Sequence, residues 1–142
     1  MTKSLETEVP AVPFPALTHV AVTVSDLAAS TAWYSRLFDA EPVLDEDDES
    51  GTFHHVVFAV DGGTLFGLHT HPGSPPQNTF DERNVGLDHI AFGCTASDLV
   101  KWRDRLDSLG IAHGDIKNAR YGSGLSFRDP DNIALEFFAP PN

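Results

Sequence analysis

An α+β fold of two tandem βαβββ modules, curling as a mixed sheet around a metal or ligand cleft, is predicted for this chain from three observations. A Pro/Gly-rich stretch at 72–78 separates two segments of near-equal length, 17–71 and 87–140. Both segments open with the same alternation, Leu17-Thr18-His19-Val20-Ala21-Val22 and Leu87-Asp88-His89-Ile90-Ala91-Phe92. In both, a capped amphipathic stretch and three strand-like runs follow the opening. The domain therefore spans 16–142, with modules at 17–71 and 87–140, a linker at 72–86 and a flexible tail at 1–15, where Pro10, Pro13 and Pro15 interrupt any period.

In the opening strands side chains alternate between faces. Val20, Val22 and Val24 share one face, as do Ile90, Phe92 and Cys94, while His19 and His89 lie on the other. A helix follows Ser25-Asp26 with Leu27, Thr31, Tyr34 and Phe38 on one stripe, and a second follows Ser97-Asp98 with Leu99, Trp102, Leu106 and Leu109, stopped by Gly110. Trp33 and Trp102 read as packing or subunit contacts, and Cys94 as a core residue and not a nucleophile. Strands are expected at 43–47, 52–60 and 64–69, then at 112–118, 123–128 and 133–138. Gly62-Gly63 and Asp129-Pro130-Asp131-Asn132 form the turns before the last strand of each module, with Asn132 suited to a left-handed backbone.

The chain has 142 residues, long enough to bury a core with 41% hydrophobic residues and short enough for one domain. Nine Lys and Arg against 21 Asp and Glu give a net charge of −12, which opposes nucleic acid and acidic membrane surfaces as partners. The acidic run 45–49 reads as a solvated loop or edge, with a cation-attracting rim as the alternative. The longest apolar run, at 56–60, is far too short to span a bilayer. The lone Cys94 and an N-terminus without the apolar core of a signal peptide lead to the expectation of a cytoplasmic protein.

Seven His in so short a chain focus attention on the cleft. In the last strand Ile133, Leu135 and Phe137 form the apolar face, so Ala134, Glu136 and Phe138 lie on the opposite one. In the matching strand of the first module Phe66 and Leu68 face the helix, leaving Leu65, Gly67 and His69 across from them. Gly67 is the repeat counterpart of Glu136. If the helix-free faces line one cleft, His19, His89 and Glu136 meet in it, a facial set for one divalent metal ion (Fe, Mn, Ni, Co or Zn) with positions open for water and substrate. Each alone would more often be an ordinary strand residue. Repeat-equivalent placement of the two His and the shared face raise the joint reading.

These residues carry a family resemblance. The stretches 17–27, 33–38, 86–92 and 127–137, the last with its Asp-Pro-Asp turn followed by an apolar-Glu-apolar strand, resemble the vicinal oxygen chelate superfamily of glyoxalase I, fosfomycin-modifying enzymes, extradiol dioxygenases and bleomycin-resistance proteins. The resemblance implies metal ligands at His19, His89 and Glu136. Gly67 stands where glyoxalase I members carry a fourth ligand, so a three-ligand site is implied unless His69 reaches in. It also implies a homodimer in which His19 comes from one chain and His89 with Glu136 from the other.

Around that set, Glu136 and His69 are the catalytic candidates, and His55, His71, Arg120, Tyr121, Ser123 and Phe138 the substrate-binding ones. The 80–83 segment after the linker either closes over the cleft or is a packed connector. The resulting expectation is a divalent-metal-dependent enzyme acting on a small oxygenated organic molecule by lyase, isomerase, dioxygenase or antibiotic-modifying chemistry. The alternative is a resistance protein that sequesters a drug or natural product without chemistry.

Overall fold

The structure, a computed structural model, describes residues 10–73 and 79–141, so part of the expected tail and of the linker lies outside the described residues. The first module runs β1 (His19–Thr23), α1 (Leu27–Phe38), β2 (Leu44–Asp47), β3 (His54–Ala59), a 3-10 turn (Asp61–Gly63) and β4 (Leu65–Thr70). The second runs β5 (Ile90–Gly93), α2 (Ala96–Ser108), β6 (Lys117–Ala119), β7 (Gly122–Arg128) and β8 (Ala134–Ala139). Each module folds into its own mixed four-stranded sheet, in the orders β1-β4-β3-β2 and β5-β8-β7-β6. The first strand of each runs parallel to the last, and the other pairings are antiparallel. A parallel neighbour requires a crossover, which the helix of each module supplies.

Alternation along the strands decides what is buried. Val22, Val56, Phe58, Phe66 and Leu68 close under Tyr34 and Leu37, while Leu125, Phe127, Leu135 and Phe137 close under Leu99 and Leu106. Each such aromatic or aliphatic side chain contributes ~1.5–3 kcal/mol on burial. The two layers merge into one core. Phe92 of β5 lies 5.3 Å from Phe38 and 5.7 Å from Phe66 between ring centroids, and Trp33 lies 6.3 Å from Phe127. Trp102 stacks on Phe137 at 4.0 Å, and Cys94 packs against the same core, its thiol pushed up mainly by burial. Trp33, Trp102 and Cys94 thus all pack against the core.

The turn before β8 fastens the modules together. Tyr34 donates to Asp129 Oδ2 at 2.7 Å, and the backbone N–H groups of Asp131 and Ile133 donate to Asp129 Oδ1. Ser25 donates to Asp131 through both its backbone N–H and its hydroxyl. Burial raises the Asp129 carboxyl above the usual range despite these donors. Asn132 takes the left-handed position with φ 67°.

Five of the six expected strands lie within two residues of their expected limits, and two element boundaries differ for a physical reason. Helix α2 begins at Ala96 because Thr95, not Ser97 or Asp98, is the residue whose side chain accepts from Asp98 N–H. The strand expected at 112–118 shrinks to Lys117–Ala119, since His113 makes only an isolated bridge to Phe127 and Gly114 donates to Ser126 O before the chain turns away. Among the described residues no helix is long and apolar enough to cross a membrane.

Candidate metal centre and its cavity

Strand register lays out the helix-free face of the second module as a grid. Ala91 of β5, Glu136 of β8 and Ser126 of β7 are direct neighbours in one row, and Gly93, Phe138 and Gly124 in the next. Arg128 pairs with Ala134 in the row before, and His89, the residue preceding β5, continues that row on the opposite side of β8. Rows of small residues leave the Glu136 carboxylate room to lean. A Cβ on Gly124 would collide with Glu136 Oε2, so only glycine there admits the side chain as it lies.

His89 Nε2 lies 3.7 Å from Glu136 Oε1. Two donors each ~2.1 Å from a shared ion sit ~3–3.5 Å apart, so a small side-chain adjustment converts this pair into two metal ligands. The other imidazole nitrogen is already committed, with Nδ1 2.7 Å from Asp88 Oδ1. A proton on Nδ1 shared with that carboxylate leaves the Nε2 lone pair facing Glu136, the orientation that carboxylate–histidine pairs impose at metal sites. The donor set of one imidazole and one carboxylate suits borderline divalent cations.

His19 is not brought to this pair within the chain. It lies exposed on the edge strand β1, and among the described residues no group of three His, Cys, Asp or Glu side chains is placed to hold a metal ion. The equivalent grid of the first module has His19 beside Leu65 and Ala21 beside Gly67, followed by a row of Thr23, His69 and His55. Gly67 thus occupies the Glu136 position, as the repeat spacing implied. The ring of His69 turns back over it, its Nε2 3.6 Å from where a Cβ of residue 67 would stand.

Beyond Gly67 the open face becomes aromatic. His69 stacks on Phe53 at 4.8 Å with 15° between planes, His55 meets His69 edge-on at 5.5 Å, and His71 lies 5.3 Å from Phe53. Burial, then the neighbouring His55 and His71, holds the His69 imidazole below its ordinary pKa, so it stays neutral at pH 7. His54 points the other way and is clasped by Asp47 at 2.8 Å and Asp45 at 2.6 Å, while Glu46 lies 4.0 Å from His55, so the acidic run lies along an edge strand whose carboxylates are partnered by the next strand.

The remaining substrate-binding candidates divide. Phe138 sits one row beyond Glu136, and the exposed Tyr121 ring stacks over it with centroids 6.4 Å apart. Ser123 is a correction: it pairs with the buried Ala139 on the helix side of β7, and its hydroxyl donates to Asn118 Oδ1 at 2.6 Å. Arg120 is exposed in the turn between β6 and β7, away from the rows that hold Glu136. Sequence reasoning overlooked Asp88, Gly124, Ser126 and Arg128. Extending the alternation of β7 from its pairing with β8 would have placed the last three beside Glu136.

A cavity of about 500 Å³ opens beside the His89–Glu136 pair, with Asp88, His113, Ser126, Arg128 and Glu82 also on its walls. The connector reaches this cavity as a packed segment, with Phe80 N–H donating to Asp131 O and Asn132 Nδ2 donating to Phe80 O, both at 3.1 Å.

Residues 16–137 match the model of the Glyoxalase/Bleomycin resistance protein/Dioxygenase superfamily, and the chain belongs to that superfamily. It is 27% identical over 125 residues to the fosfomycin resistance protein FosX of Listeria innocua, covering 87% of this chain and 88% of that one. An ethylmalonyl-CoA/methylmalonyl-CoA epimerase of Cereibacter sphaeroides is 27% identical over 122 residues, covering 82% and 90%. Among solved structures, a glyoxylase/bleomycin resistance protein/dioxygenase domain from Frankia sp. EAN1pec superposes with a TM-score of 0.81 at 31% identity, covering 92% of this chain and 95% of that one. A FosX from Listeria monocytogenes complexed with Mn(II) and sulfate ion shares the fold with a TM-score of 0.66 at 22% identity, over 91% and 95% of the two chains.

Proposed function

We propose that this protein is a divalent-metal-dependent enzyme acting on a small oxygenated organic substrate, with a site that His89 and Glu136 of one copy form together with His19 of a second copy. The observation that carries this reading is the His89–Glu136 pair itself, pre-aimed by Asp88 on one side and given room by Gly124 on the other. Relatives that include a named epimerase and a FosX crystallised with Mn(II) support the same class.

Two observations support a second copy. The strands β1 and β5 are edges of their sheets, and unpaired edges are places where another chain adds on. Leu17, Leu65 and Leu87 remain exposed at 79%, 39% and 43% around a groove that also includes His89. Covering them would set the open face of one module against that of a partner.

A bound divalent ion would supply Lewis acidity toward adjacent substrate oxygens. The chain's own contributions are distinct. Asp88 fixes which nitrogen of His89 is available, and Glu136 offers a carboxylate that can take or return a proton beside the substrate. The neutral His69, carried by the opposing module, is a second proton acceptor. Phe138, Tyr121, His55 and His71 would border the substrate beyond these groups, and the small residues at 91, 93 and 124 leave it space. With such an ion held by His89 and Glu136, these proton-carrying groups would suit a proton transfer at, or an addition to, a carbon adjacent to a substrate oxygen.

Complementation tests the shared site. His19→Ala and Glu136→Ala homodimers each should bind no stoichiometric Mn(II), whereas mixing equal amounts and reassembling the two restores about a quarter of a site per chain, because half of the dimers are then hybrids and each hybrid carries one interface with all three ligands. If wild-type protein takes up no stoichiometric metal on reconstitution, the enzyme reading fails and a ligand-sequestering protein replaces it.

A further inference from the structure

The cavity beside the His89–Glu136 pair holds one group that metal chemistry does not use. Arg128 is the single Lys or Arg among its lining residues. Register places it in the same row as His89 with Ala134 between them, two strand spacings or ~10 Å across the sheet. Ala134 is too short to obstruct that path. A substrate whose oxygens reached the His89–Glu136 pair would extend toward the guanidinium along the floor formed by Ala134 and Ser126.

The guanidinium is already gripping a carboxylate. Its Nη1 donates to Glu82 Oε1 at 3.0 Å and its Nη2 to Glu82 Oε2 at 2.6 Å, the forked geometry by which Arg reads planar oxyanions, while Nη1 also donates to Asn132 O at 3.1 Å. Arg128 keeps 42% and Glu82 35% of the side chain accessible. Solvent-exposed pairs of this kind contribute little to folding and exchange readily. Glu82 is carried by the connector, but the connector is held independently through Phe80 to Asp131 and Asn132. Glu82 can therefore swing off Arg128 without unfastening the segment that bears it. The Asn132 carbonyl stays on Arg128 and keeps the fork aimed.

We propose that Arg128 anchors an oxyanion of the substrate, a carboxylate or a phosphonate, and that Glu82 is an internal competitor occupying the anchor until that anion displaces it. The substrate class is then an organic anion with chelating oxygens at one end and its anionic group ~10 Å or less away, the two strand spacings that separate the ends of the row. This proposal rests on the metal reading above for the far end of the substrate only; the anchor is a property of this chain.

The test uses metal-free full-length protein, titrated separately with succinate and with methylphosphonate in low-salt buffer and followed by amide NMR shifts around Arg128. Glu82→Ala should bind one of the two probes about tenfold more tightly than wild type, and the probe preferred identifies the oxyanion. Arg128→Gln should lose the response, and Arg128→Lys, which keeps the charge but not the fork, should recover only part of it. Unchanged affinity for both probes in Glu82→Ala overturns the proposal and makes the pair a strut for the connector. Should Arg128→Gln fail to fold, the Glu82→Ala titration still decides. Mn(II) stoichiometry measured on the same samples separates the two readings: normal metal uptake with no gain in anion affinity sinks the anchor alone. Absent metal uptake with the tenfold gain sinks the metal reading and leaves the anchor standing.

Discussion

The two modules offer the same nine open-face positions and fill them differently. The first holds His19, Leu65 and Ala59, then Ala21, Gly67 and Val57, then Thr23, His69 and His55. The second holds His89, Ala134 and Arg128, then Ala91, Glu136 and Ser126, then Gly93, Phe138 and Gly124. One corner is alike, a His beside small or apolar neighbours. The centre differs most, a carboxylate in one module and no side chain in the other. The repeat therefore supplies a backbone lattice on which a single lattice point separates the half with a central carboxylate from the half without one. Where the second module is cleared by glycine around Glu136, the first is crowded by imidazoles and Phe53 around Gly67.

The largest expected effect tests that centre directly. Replacing Glu136 by Ala should weaken Mn(II) binding by ~100-fold or more, since loss of an outer-shell partner alone costs roughly 10–100-fold. Gly67→Ala at the equivalent point should leave it within about twofold, because a Cβ there meets Ala21 Cβ at 3.5 Å and His69 Nε2 at 3.6 Å, ordinary contacts. Equal losses in the two variants, read by metal-competition titration, would erase the asymmetry. A smaller effect follows one residue before each strand His, where the first module has Thr18 and the second Asp88. Asp88→Asn should cost about tenfold in metal affinity by weakening the hold on His89 Nδ1, and Thr18→Val should cost nothing measurable.

Much of this was legible in the sequence for physical reasons. Period-two alternation identified the buried faces of β1, β4, β5 and β8, and with them the side on which His19, His89, Gly67 and Glu136 lie. The strand around 112–118 was not legible, because alternation of Ala112, Gly114 and Ile116 looks the same whether the backbone pairs along its length or touches only at His113. Ser123 misled for a related reason. Its loop reads as polar and Gly-flanked, and only the pairing of β7 with β8 turns the hydroxyl toward Asn118. The Arg128–Glu82 pair spans 46 positions, and no local period encodes a contact between a connector and a strand end.

The modules also differ in how each ties down its outlying His, and the smallest expected effect lies there. On the first, His54 is held by the carboxylates of Asp47 and Asp45 on the edge strand, and chiefly the Asp47 bond raises its pKa above the ordinary value. On the second, His113 is raised first by donating to Gly114 O at 2.7 Å and then by Asp107 at 2.6 Å. A folded-state pKa above the unfolded value means that the stabilisation from each His is complete below about pH 6.5 and fades as pH rises through the raised folded value. The partner carboxylates of Asp45, Asp47 and Asp107 are open to solvent, so the slope in stability should be slight. Imidazole NMR titration resolves it where a melting curve would not. Asp47→Asn should bring the His54 midpoint back toward the ordinary value and leave His113 where it was. A His113 midpoint that moved with it would mean that the two edges are electrostatically coupled through the shared core, and that the modules are less independent at their rims than their separate sheets imply.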